Sequence, residues 1–192
     1  MVKILEFFSH KKNLPNILTF SRIAVVPLLI FLLYFDSRII NFFTALLIIA
    51  AAVTDALDGY LARKYELVTS FGKLLDPVAD KILLVTTMVM LVFLGRAPAW
   101  IVCLILCREI AITGLRAIVA EHGTIIDASP LAKYKTIFQI VAVVALTIHY
   151  PLFGIDAQVV GTIFIWMALG LTWWTGYQYF DKALPYFNGP EE

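Results

Sequence analysis

Apolar residues run in long, nearly unbroken blocks separated by short polar connections. Six blocks predict helices long enough to cross a bilayer: about Ile17 to Phe35, Ile40 to Ala62, Ala79 to Leu94, Ala99 to Val119, Thr136 to Tyr150 and Val159 to Tyr179. Ahead of them, Val2 to Lys12 sets Ile4, Leu5 and Phe8 among Lys3, Lys11 and Lys12, the mix of a short amphipathic helix lying in a membrane interface. Asn13 to Asn16 (NLPN) supplies the turn between them, with Pro15 suited to a helix start. The expectation is an all-α integral membrane protein with six transmembrane helices and a short N-terminal interfacial helix. Its 192 residues form one membrane domain, with the interfacial helix at 1–12 and the bundle at 17–182.

Composition agrees with that pattern. The chain is 61% hydrophobic and 15% charged, with a mean hydropathy of +0.87, well outside the soluble globular range. The first apolar block is no secretory signal, since it contains Arg22 and Pro27 and lacks a small-residue cleavage site. Cys103 and Cys107 stand one turn apart in an apolar run and read as packing residues, and His10, His122 and His149 as isolated interfacial ones.

The net charge of +1 excludes little, but the placement of basic residues is informative. Lys3, Lys11 and Lys12 precede the first span; Arg63, Lys64 and Lys73 lie between the second and third; Lys133 and Lys135 lie between the fourth and fifth. The opposite connections hold only Arg38, only Arg96, and none. The excess marks the cytoplasmic side, so both termini are expected there.

Four carboxylates break the apolar pattern on that side. Asp55 and Asp58 are three residues apart, Asp76 and Asp80 four apart, so each pair shares one helix face. At about 1.5 Å per residue, Asp55 lies roughly 20 Å along its span from the outer end, which sets all four near the inner headgroup level. A carboxylate at the centre of a membrane helix costs about 2.5 to 3.5 kcal/mol on insertion scales, so those retained usually line a cavity, a relay or an ion site. Two acidic pairs on neighbouring helices repel one another unless cations occupy the pocket. Gly59 and Gly72 beside them permit close approach of a ligand or of another helix.

Written as a spacing, the stretch is Asp55-x2-Asp58-Gly59-x2-Ala62-Arg63-x8-Gly72-x3-Asp76-x3-Asp80. At every fixed position it resembles the signature of the CDP-alcohol phosphotransferase family of integral membrane enzymes. Asn13 to Pro27 (NLPNILTFSRIAVVP), Arg108-Glu109 and Lys133 to Gln139 (KYKTIFQ) look like its phosphatidylglycerophosphate synthase branch. The resemblance implies a bacterial cytoplasmic-membrane enzyme with a cytoplasmic active site, a six-helix bundle and usually a homodimer. It implies two divalent cations, Mg²⁺ or Mn²⁺, and displacement of CMP from CDP-diacylglycerol by an alcohol. By the same resemblance Asp55, Asp58 and Asp76 are metal ligands, and Asp80 is both a ligand and the general base. Asn16, Thr19, Gly59, Arg63 and Thr69 are implied as CDP-lipid contacts, and membrane lipids as surroundings; no nucleic-acid partner is expected. Hard oxygen ligands suit these ions, and a two-metal clamp suits phosphoryl displacement.

The acceptor alcohol is a separate question. Arg108 and Arg116 are eight residues apart, on nearly one helix face, and Lys133 and Lys135 follow in the next basic connection. Four cations near one mouth suit a phosphate on the acceptor, which points to sn-glycerol 3-phosphate. The other acceptors are inositol phosphate, serine and a second phosphatidylglycerol; inositol phosphate calls for the same cations, whereas free inositol or serine does not. The bland alternative pairs Arg108 with Glu109 or Glu121 and leaves the lysines as topology signals. An ion-coupled transporter is the remaining class; clustering of the acidic residues at one face and the lack of an inverted repeat weigh against it.

Overall fold

Apolar runs this long leave the backbone one way to satisfy its own polar groups away from water, which is the helix. The computed structural model describes residues 14–64, 70–121 and 130–187, with side chains except at 14–23, 55–64, 70–80, 121, 130, 132, 186 and 187. Among the described residues there are six helices: α1 (Leu14–Tyr34), α2 (Arg38–Lys64), α3 (Ser70–Phe93), α4 (Ala99–Glu121), α5 (Pro130–Ile148) and α6 (Ala157–Phe187). A small antiparallel hairpin, β1 (Pro151–Leu152) and β2 (Ile155–Asp156), joins α5 to α6. The interfacial helix expected over 1–12 lies outside the described residues.

The chain divides into two compact units, Met1–Met90 and Leu91–Glu192. In the first, α1 packs on α2. Val26, Leu29 and Leu33 of α1 and Ala45 and Ile48 of α2 are buried, together with the polar Asn41 and Thr44. Ser37 caps α2: its Oγ accepts the Ile40 N–H at 3.3 Å, and Asp36 Oδ1 accepts from Asn41 Nδ2 at 3.0 Å. Thr44 Oγ1 donates to Ile40 O at 2.7 Å and Thr87 Oγ1 to Leu83 O at 2.8 Å, so these hydroxyls are satisfied within their own helices.

The second unit is built around α6, which packs on both α5 and α4. Its buried seam runs Ala157, Gly161, Ile165, Ala168, Thr172, Thr175, Tyr179 and Ala183, small residues at helical spacing that admit close neighbours. The facing seam of α4 is Ile101, Ile105, Arg108, Leu115 and Val119. At the hairpin end, Arg96 Nη1 donates to Thr147 O at 2.8 Å, satisfying a carbonyl of the last turn of α5. Gln158 Nε2 donates to Arg96 O at 2.9 Å. Gln158 Oε1 lies 2.8 Å from His149 Nδ1 and can only accept, so that ring nitrogen carries a proton. Asp156 Oδ1 accepts the Gln158 N–H at 2.9 Å and caps α6.

The closest helix contact gives a stability prediction. A Cβ on Gly161 would lie 2.6 Å from Leu146 Cγ and 2.9 Å from its backbone nitrogen, whereas one on Gly170 meets nothing within 4 Å. Gly161→Ala is expected to lower stability by about 1 to 3 kcal/mol through overpacking. Gly170→Ala should be neutral or stabilising by up to about 1 kcal/mol through helix propensity. Thermal unfolding in one detergent compares them, and equal midpoints would contradict this packing.

Many large apolar side chains face outward, and several polar ones are buried. Tyr34, Ile39, Phe93 and Ile110 are 68%, 71%, 69% and 69% exposed, while Asn41, Thr44, Thr87 and Gln139 are buried. An all-helical protein that turns its large apolar side chains outward is consistent with a membrane protein. By length and composition, one helix among the described residues, Ala157–Pro185, can cross a bilayer; shorter apolar stretches are Ala24–Tyr34, Arg38–Thr54 and Lys81–Phe93.

Two expectations need correction. The fifth helix ends at Ile148 rather than Tyr150, because His149 takes φ 60° and turns the chain into the hairpin. Cys103 and Cys107, expected as packing residues, are exposed, because the inward seam of α4 passes through 101, 105 and 108 instead.

Candidate active site

The residues singled out in the sequence fall on five helices. Asn16 and Thr19 lie in the first turns of α1, Asp55, Asp58, Gly59 and Arg63 in the last three turns of α2, and Asp76 and Asp80 in the first three of α3. The carboxylate pairs thus stand on consecutive helices, at the ends joined by one short connection. Their side chains, with those of Asn16, Thr19 and Arg63, lie outside what is described, as does all of Thr69. As a donor set, four carboxylates supply hard oxygens, which fits divalent Mg²⁺ or Mn²⁺ and not a soft metal.

The side chains of Arg108, Arg116, Lys133 and Lys135 are among those described. Arg108 on α4 is 5% exposed, and its guanidinium is held from two sides. Nη1 donates to Glu109 Oε1 at 3.1 Å, and Nη2 donates to Thr175 Oγ1 of α6 at 2.7 Å. Lys135 Nζ, from α5, donates to the same Glu109 oxygen. Glu109 therefore ties two cations from two helices together, with little solvent to screen them. Arg108 Nε is buried without a hydrogen-bond partner among the described residues. One layer away, Gln139 Nε2 of α5 donates to Thr172 Oγ1 of α6 at 3.3 Å.

Arg116 and Lys133 are not brought to that point. Arg116, two turns further along α4, is exposed and lies 5.8 Å from the centroid of the Tyr179 ring, a cation–π contact over the small cluster of Leu115, Val119, Tyr179 and Ala183. Lys133 is exposed at the start of α5. The pairing of Arg108 with Glu109, foreseen as the bland alternative, is present, and Lys135 joins it. Thr175 and Gly176 were not foreseen; a hydroxyl and a glycine side by side in an apolar helix were the available signal.

The family model described as CDP-alcohol phosphatidyltransferase matches residues 12–174, which spans both compact units. A Rickettsia typhi protein named CDP-diacylglycerol--glycerol-3-phosphate 3-phosphatidyltransferase is 43% identical over 177 residues, covering 92% of this chain and 99% of that protein. A Bacillus subtilis protein of the same name is 41% identical over 182 residues, covering 88% and 94%. One from Cereibacter sphaeroides, also of that name, is 33% identical and covers 92% and 97%. An intact aspartate motif on two consecutive helices, a family match across most of the length and relatives aligned nearly end to end agree: the chain belongs to the CDP-alcohol phosphatidyltransferase family.

Proposed function

We propose that this protein is a phosphatidylglycerophosphate synthase. It transfers the phosphatidyl group of CDP-diacylglycerol to sn-glycerol 3-phosphate, giving phosphatidylglycerol phosphate and CMP. The observation that carries this reading is the 43% identity, over 92% of the chain, to a relative of that activity by name. All of α1 to α6 cross the bacterial cytoplasmic membrane as one domain, with the 1–12 helix at the interface and both termini in the cytoplasm. The lysine and arginine distribution supports that orientation. A homodimer is part of the reading, by family resemblance.

Asp55, Asp58, Asp76 and Asp80 hold two divalent cations, Mg²⁺ or Mn²⁺. When bound, these supply charge neutralisation for the attacking and leaving oxygens of the displacement. Asn16, Thr19, Gly59, Arg63 and Thr69 bind the CDP-lipid. The acceptor hydroxyl gives its proton to Asp80 as its oxygen bonds to the phosphorus that carries the diacylglycerol. The bond from that phosphorus to CMP breaks, and CMP leaves with the electron pair. Asp80 then returns the proton to bulk solvent. Arg108, Arg116, Lys133 and Lys135 recognise the acceptor's phosphate, the arginines through forked hydrogen bonds. Arg108 and Lys135 meet on Glu109, which brings two of these cations to one point and is equally what a structural ion pair would give.

Arg116 gives the test of acceptor recognition. Arg116→Ala is expected to raise the KM for glycerol 3-phosphate about tenfold or more, since a lost charge-assisted hydrogen bond is worth about 1.5 to 3 kcal/mol. The KM for CDP-diacylglycerol should barely change. Arg116→Lys should rescue in part, because an ammonium keeps the charge and loses the planar fork. Unaltered acceptor kinetics in Arg116→Ala would leave this residue a topology signal packed on Tyr179.

A further inference from the structure

The Arg108 guanidinium is fixed by α6 as well as by its own helix, and the α6 contacts have features that a merely satisfied buried arginine does not need. Thr175 Oγ1 accepts from Nη2 at 2.7 Å. The single hydrogen of that hydroxyl is already committed, since Oγ1 lies 2.8 Å from Leu171 O and 3.1 Å from Thr172 O. A lone pair is thereby turned toward Arg108, and the hydroxyl cannot rotate away without losing its bond to the helix. Beside it, the Arg108 side chain passes close to Gly176 of α6. A Cβ on Gly176 would sit 2.8 Å from Nε and 3.3 Å from Cγ, so any other residue there displaces the arginine. Among the described residues Nε has no hydrogen-bond partner. Of the five guanidinium N–H groups, one goes to Glu109 and one to Thr175. Among the described residues the Nη atoms keep further donors, as a forked contact to a phosphate requires.

We propose that Thr175 and Gly176 are positioning residues for the acceptor site. They hold the Arg108 guanidinium in the orientation that binds the acceptor's phosphate, without touching that phosphate themselves, and so set the affinity for a phosphorylated alcohol. The proposal rests on the reading above that Arg108 binds the acceptor. Its chemistry is that of preorganisation: a long side chain free to rotate gives up rotamer entropy on binding, whereas one already clamped does not.

The test uses the full-length protein in lipid–detergent micelles. CMP release is followed with glycerol 3-phosphate varied at saturating CDP-diacylglycerol, and then the reverse. Thr175→Val, which keeps the shape and removes the acceptor oxygen, is expected to raise the KM for glycerol 3-phosphate about fivefold or more. Both kcat and the KM for CDP-diacylglycerol should stay within about twofold. Thr175→Ser should restore the wild-type KM, and Gly176→Ala should reproduce the defect of Thr175→Val. In an Arg108→Ala background, Thr175→Val should add nothing, because both changes remove one interaction. If Arg108→Ala raises the acceptor KM while Thr175→Val and Gly176→Ala leave it unchanged, the positioning proposal fails and the reading of Arg108 survives. Should Arg108→Ala itself leave the KM unchanged, that reading fails and takes the proposal with it. A uniform fall in kcat, with both KM values rising and the melting midpoint dropping, would mean that the pair only holds the fold, and the proposal would be overturned.

Discussion

Asp58→Asn and Asp76→Asn are each expected to lower CMP release about 10²- to 10³-fold or to background, with the protein still inserted and folded. On the proposed reading each removes one anionic oxygen ligand from a site that has to neutralise charge on both reacting oxygens. An amide keeps the side chain's size but holds a hard dication far less well. Insertion should not suffer, since replacing an aspartate by a neutral side chain lowers the cost of placing that helix in a bilayer. A second readout does not depend on turnover. Saturating Mg²⁺ or Mn²⁺ should raise the melting midpoint of the unaltered protein, because a ligand bound only by the native state stabilises it by mass action. In either variant that shift should shrink or vanish. Full turnover in excess chelator, or a metal-induced shift that survives both substitutions, would remove the aspartates from the metal site.

Asp80→Asn should separate binding from chemistry. The side chain keeps its shape and one oxygen ligand but cannot take the acceptor's proton, so kcat should fall by about 10²-fold or more, the usual reach of a general base. The KM for CDP-diacylglycerol should change much less, leaving a complex that binds the nucleotide-linked lipid and does not turn over. Single-turnover measurements with the lipid prebound distinguish this from slow product release. If affinity for the CDP-lipid falls as far as the rate, Asp80 acts chiefly as a ligand and the proton goes elsewhere.

The helices were legible because an apolar run has no other way to bury its backbone, and because Pro, Gly and charged residues punctuate the connections. The early start of α3 at Ser70 was not, since Lys73, Asp76 and Asp80 stand ahead of or within the start of the apolar run near Ala79. Polar side chains do not stop a helix whose backbone bonds are internal. The hairpin after α5 was hidden for another reason. Its turn places Phe153 at φ 51° before Gly154 at φ 82°, and phenylalanine is not a residue from which a left-handed turn position is read.

The four aspartates could be placed from spacing as two pairs because each pair lies within one helix and the two helices are joined by one short connection. The partner of Arg108 on α6 could not. Thr175 is 67 residues away, and the two meet only because α4 packs on α6 at that level. A buried arginine in an apolar run announces that it has partners, and which ones is a property of helix packing. Arg116 makes the same point from the opposite side. Its position eight residues from Arg108 correctly gave a shared helix, yet one residue is buried against α6 while the other lies over the Tyr179 ring and open to solvent.

The central claim, that a phosphatidyl group passes to a phosphorylated glycerol, is tested most directly by CMP release from CDP-diacylglycerol by the purified protein. Glycerol 3-phosphate, free glycerol, inositol phosphate, myo-inositol and serine would be offered in turn and the lipid product identified. The account predicts metal-dependent release with glycerol 3-phosphate, phosphatidylglycerol phosphate as the lipid formed, and inhibition by inorganic phosphate against that acceptor. Release with free glycerol, myo-inositol or serine that equals or exceeds release with glycerol 3-phosphate would contradict it.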